Sequence, residues 1–94
     1  MSCRVPGVLP LKDALVNENE DHIKAASAWS LGQIGRHTAD HAKALAQADV
    51  FRRLVDLYKD PKSSEDLQTK SQRALKSALA KCTYLPCLEP LLQV

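Results

Sequence analysis

His37 and His41 stand four residues apart, the spacing at which one helix face could offer two imidazoles to a metal ion. A metal site needs three or four ligands, and no glutamate or third ligand lies nearby in sequence. Thr38 is placed to start a helix between the two histidines, which takes them off a shared face. Neither a metal ion nor a cofactor is expected. Cys82 and Cys87 straddle a helix end, and Cys82 continues an apolar stripe, so both read as buried small hydrophobes. Serine, histidine and aspartate all occur, but no serine has the flanking glycines of a nucleophile elbow. Gly32 and Gly35 fall inside a helix rather than in a phosphate-cradling loop. Glycine there costs about 1 kcal/mol, and a close helix–helix approach accounts for it. The expectation is a protein that is not an enzyme.

Binding chemistry is better supplied. Trp29 and Gln33 are one helical turn apart, on a face that also carries His22, Ala25 and Arg36. At about 100° per residue, Trp29 lies roughly 140° from the middle of the stripe formed by Ile23, Leu31 and Ile34. Further along, Lys70, Arg73, Ser77 and Lys81 share one face of a second long helix, beside its apolar stripe. An aromatic segment next to a basic one suits an acidic, extended protein partner. Two plainer readings compete: Trp29 packed between stacked helices, and the basic residues as a solvated face.

These residues must be positioned by helices. The chain has 94 residues, 45% of them hydrophobic and much of that fraction alanine and leucine; four are aromatic, Trp29, Phe51, Tyr58 and Tyr84. Alanine and leucine lose little on entering a helix, and three glycines give little material for tight hairpins. The length allows one domain, and such a chain buries only about 60–65% of its unfolded surface. The fold class is all-α. A net charge of +2 is too small to imply nucleic acid. Three cysteines, Cys3, Cys82 and Cys87, make no paired framework, which favours a reducing compartment. No run approaches the roughly 20 apolar residues of a membrane span, and no signal-peptide pattern is visible. A cytoplasmic or cytoskeletal protein is expected.

Punctuation along the chain predicts helices over 8–16, from the polar turn at 17–21 to about Arg36, and over 39–48, 50–58 and 65–81. Pro10 belongs in a first helical turn, and Pro61 discourages helix in the residue before it. The second helix carries Ile23, Ser27, Ser30, Leu31 and Ile34 on one stripe; the fifth carries Leu67, Ala74, Leu75, Ala78, Leu79 and Cys82. The tail 83–94 has two prolines and reads as one short, broken helix. A shift of 43 lays Val8 on Phe51, Leu11 on Leu54 and Ala14 on Leu57; a shift of 44 lays Ile23 on Leu67 and Leu31 on Leu75. A period in the low forties with three helices per unit is the mark of armadillo repeats. One segment, 1–94, is expected: 8–37 as the last two helices of one repeat, 38–82 as a full repeat, 83–94 as the start of the next.

Residues 20–38 (EDHIKAASAWSLGQIGRHT), 63–68 (SSEDLQ) and 81–86 (KCTYLP) resemble the sperm-associated antigen six family of axonemal armadillo proteins. The resemblance runs from about Val8 onward; the first few residues depart from it. It implies a fragment of a longer, non-catalytic scaffold in the central-pair apparatus of motile cilia and flagella, which supports axoneme assembly and motility. Other axonemal proteins would be its partners, with no nucleic acid and no membrane. In armadillo arrays the third helix of each unit lines a concave groove. Armadillo peptide binders often pair a tryptophan with an asparagine four residues later, and here Gln33 stands in that place. The groove would then comprise His22, Trp29, Gln33, Arg36, Lys70, Arg73, Ser77 and Lys81. The alternative is a linear-peptide cargo binder resembling nuclear transport receptors. A fragment of one and a half to two repeats is also expected to self-associate, as a dimer, through Val8, Leu9, Leu11, Leu15 and Val16 at one end or Leu85, Leu88, Leu91 and Leu92 at the other.

Overall fold

A computed structural model describes residues 7–81. Five helices follow in order: α1 Val8–Asn17, α2 Asp21–Gly35, α3 Ala39–Gln47, α4 Val50–Lys59 and α5 Glu65–Leu79. No strand occurs among the described residues. The tail 83–94, Cys3, Cys82 and Cys87, and the C-terminal leucines expected to mediate self-association lie outside them.

Local chemistry sets the helix ends. Gly7 enters α1 at φ 92°, a left-handed conformation that a side chain would strain, and its carbonyl accepts from Leu11 N at 3.0 Å. The Thr38 hydroxyl accepts from His41 N at 3.1 Å, capping α3. Ser64 does the same for α5 through Leu67 N at 3.1 Å, with Glu65 and Asp66 in the positive first turn. The connection before α5 is tied down at Asp60, whose carboxylate accepts from Lys62 N at 2.9 Å and whose carbonyl accepts from Gln68 Nε2 at 2.9 Å.

Helices α2 and α5 form the largest interface, α1 packs on α2, α4 packs on α5, and α1 touches α4. The short α3 bridges α2 and α4. The α2–α5 pair runs parallel. At its start the Asp21 carboxylate accepts from Ser64 N at 2.7 Å. At its end a Cβ on Gly35 would fall 2.6 Å from Ala78 Cβ and 2.6 Å from Leu45 Cδ1. Midway, a Cβ on Gly32 would fall 2.8 Å from Ala74 Cα. The two helix-interior glycines are therefore where backbones meet. Helices separated by two intervening elements and laid side by side in parallel make this an armadillo-type α-solenoid segment.

The core centres on Leu15, Leu31, Leu45, Val50, Phe51, Leu54 and Leu67, each at most 1% exposed. Three expectations are corrected. The α2 stripe is broader than its apolar residues indicate: Ala25, Ser27, Ala28, Leu31, Gly32 and Gly35 are buried, while Ile23, Ser30 and Ile34 are only half-buried. The cause is that α2 is covered by α1, α3 and α5 rather than by a single neighbour. On α1, Val8 and Leu15 are buried and Leu11 packs against the core, so of the five residues expected at a free end only Leu9 and Val16 face outward. The fifth helix stops at Leu79, leaving Lys81 in the following turn.

Candidate protein-binding groove

Trp29 stands in the middle of α2 with 53% of its surface exposed, while Ala25 and Ala28 beside it are buried. The tight α2–α5 seam at Gly32 leaves no room for an indole between the helices. Trp29 rests instead at the lip of a cleft of ≈250 Å³, with Gly32 and Ala74 in its floor. Across the cleft, α5 contributes Lys70, Arg73, Lys76 and Ser77, and α2 adds Gln33. Among the described helices, Trp29 is therefore not packed in the α2–α5 seam.

A second cleft, ≈710 Å³, continues from the first toward the C-terminal ends of both helices. Gln33 and Ser77 line both clefts and form the saddle between them. Beyond the saddle the walls are Arg36, His37, Ala80 and Lys81. Arg36 Nη1 reaches Gln33 Oε1 at 3.5 Å, a long contact on the surface. Lys70 pairs with Asp66 one turn earlier on α5. Among the described residues no aspartate or glutamate lines either cleft, so the ionic groups they bring to the groove are cationic.

Seven of the eight residues expected in the groove are brought together by this geometry; His22 is not. It lies in the first turn of α2, 3.3 Å from the Glu20 carboxylate, and lines neither cleft. Ala25, expected on the same face, is 1% exposed. Sequence reasoning missed Lys76 and His37. Lys76 sits one turn from Arg73 on the same helix, a signal that was available. His37 lies past the end of α2, where helical spacing no longer says which way a side chain faces.

The His37 and His41 rings meet edge to face, centroids 5.0 Å apart. The Thr38 hydroxyl lies 2.6 Å from His41 Nδ1 as well as accepting from His41 N, so it can donate to that ring nitrogen. Among the described residues no group of three or more His, Cys, Asp or Glu could hold a metal ion. No helix among them is long and apolar enough to cross a membrane.

No family model matches the chain, and no solved structure matches it. Among curated proteins it is 58% identical over 82 residues to Sperm-associated antigen 6 of Mus musculus, and 58% identical over 82 residues to Sperm-associated antigen 6 of Homo sapiens. Each match covers 87% of this chain and 16% of the relative. With its all-helical, armadillo-type architecture, the chain belongs to the sperm-associated antigen 6 family, of whose mouse and human members it spans a 16% segment.

Proposed function

We propose that this chain is a protein-binding armadillo segment, with 8–37 closing one repeat and 38–82 forming the next, in a non-catalytic scaffold of the motile axoneme. Its place would be the central-pair apparatus of cilia and flagella, where it would hold neighbouring axonemal proteins in position. The observation that carries the binding role is the half-exposed Trp29 at the lip of a groove whose ionic groups are cationic. A large aromatic side chain beside arginine is what protein partners anchor on, and solenoids typically bind along such a concave, helix-lined surface. The name of the relatives, sperm-associated antigen, fits a flagellar setting. The partner would be acidic and extended, drawn in by the cations and held by contact with the indole.

Localising the full-length protein in a motile cell tests the scaffold role. Retention in the axoneme after detergent extraction is the expected result. A soluble pool shared between nucleus and cytoplasm would refute it and favour an exchangeable cargo binder. For the groove, Arg73→Glu with Lys76→Glu should slow partner association, and the wild-type rate should fall as salt rises.

A further inference from the structure

Resting on the binding role just proposed, we infer that the groove reads a register: an acidic, extended protein segment in which an apolar side chain sits three residues from a carboxylate. The apolar side chain lies against Trp29 in the first cleft, and the carboxylate reaches Arg36 and Lys81 in the second.

The spacing follows from α2 and its C-cap. Trp29 on α2 and Arg36, the C-cap residue, still in right-handed helical conformation (φ -78°, ψ -11°), are seven residues apart, which at helical rise places their backbones about 10 Å apart along the axis and within about 20° of the same face. A chain in the polyproline II conformation rises about 3.1 Å per residue and returns to the same face every third residue. Two side chains three positions apart then point the same way, about 9 Å from each other. A β-strand turns every third residue to its opposite face, and same-face pairs two or four residues apart span about 7 or 13 Å. The three-residue, polyproline-like register fits best.

The two clefts differ in the way this register needs. The first has the Trp29 indole at its lip and a floor of Gly32 and Ala74; the second has the Arg36 and Lys81 cations beside the polar His37 ring and, among the described residues, no large apolar side chain. Between them the Gln33 amide and Ser77 hydroxyl can bond the peptide backbone crossing the saddle. The long Gln33–Arg36 contact, 3.5 Å, is weak enough to exchange for a ligand. A single-stranded nucleic acid would want several stacking platforms in series, and the described groove offers one indole and, beyond the saddle, one imidazole.

The test uses the 94-residue chain and labelled peptides of identical composition and charge, with one leucine and one glutamate separated by one, three or five positions. Fluorescence anisotropy should give the three-residue spacing about fivefold or more tighter binding than the others, roughly 1 kcal/mol. Trp29→Ala, and Arg36→Glu with Lys81→Glu, should each abolish that preference. Arg73→Glu with Lys76→Glu should weaken all peptides alike. Circular dichroism establishes that every variant is folded. Equal affinity for all spacings overturns the register, and a persistent loss in the Arg73/Lys76 variant would then leave the groove itself standing. Indifference of all peptides to every groove substitution overturns both the register and the binding role. Tighter binding of an oligothymidine probe than of the three-residue peptide would also overturn the register, and with it a protein occupant.

Discussion

Trp29 is the most informative single side chain, because its burial decides between packing and binding. At 53% exposure its truncation removes little from the core. Trp29→Ala should change stability by no more than about 1 kcal/mol while weakening partner capture. Urea melts beside a pull-down check this, and a loss of about 3–5 kcal/mol, the range for a buried aromatic, would retire the groove role. Ser71 makes a second case. It is fully buried on α5, its Oγ has no hydrogen-bond partner, and the equivalent Ser27 on α2 donates to the Ile23 carbonyl at 3.0 Å. A buried, unsatisfied hydroxyl costs about 1–3 kcal/mol. Ser71→Ala should therefore be neutral or stabilising by about 1 kcal/mol, and more favourable than Ser27→Ala in the same denaturation experiment. A clear loss of stability in Ser71→Ala would mean that the hydroxyl is bonded in solution.

For the elements, the seam between α2 and α5 governs the shape of the groove. On propensity alone, replacing a helix-interior glycine by alanine gains about 1 kcal/mol. Here the sign should reverse, because the added methyl meets neighbours that cannot swing aside: Ala74 Cα at 2.8 Å from position 32 and Ala78 Cβ at 2.6 Å from position 35. Both Gly32→Ala and Gly35→Ala should destabilise by about 1–3 kcal/mol. Partial rescue is expected only at the second position. Ala78→Gly removes the closest atom facing position 35 on α5 and leaves Ala78 Cα at 3.3 Å, whereas Ala74→Gly leaves the backbone clash at position 32 in place. Double-mutant cycles should show the larger coupling for 35/78 than for 32/74. Stabilisation by either single substitution would mean that the helices sit farther apart than described.

Seen whole, the segment buries its helices against one another as consecutive units of a solenoid do, and such units rely on neighbours for stability. On α1, Leu9 at 64% and Val16 at 43% exposure remain outside, two turns apart on one face. Apolar residues exposed in this way favour contact with another protein surface. The 94-residue chain is accordingly expected to associate at rising concentration, with a two-fold dimer as the commonest closed form. Light scattering over a concentration series checks this, and Leu9→Lys with Val16→Lys should shift the equilibrium toward monomer. A folded monomer at all concentrations would count against self-association through α1.

Much of the architecture was legible because its causes are local. Thr38 and Ser64 announce helix starts through hydroxyls that cap nearby N–H groups, and Pro61 marks the break before α5. The repeat was legible because equivalent helices carry equivalent residues, and Ser64 bonding Asp21 across 43 positions shows that near-periodicity as a contact. The groove was legible in part: hydropathy and spacing bring Trp29, Gln33, Arg36, Lys70, Arg73, Ser77 and Lys81 together, but they also include His22 and omit Lys76 and His37. Periodicity finds the face of a helix that meets one apolar neighbour, and α2 has three. That is why Ala25 and Ala28 are buried while Ile23 and Ile34 stay half-exposed. Where two backbones touch is a matter of absent side chains, which hydropathy does not register. Only the tertiary structure decided that Gly32 meets Ala74, and with it that the indole of Trp29 is kept out of the seam and left at the lip of a cationic groove.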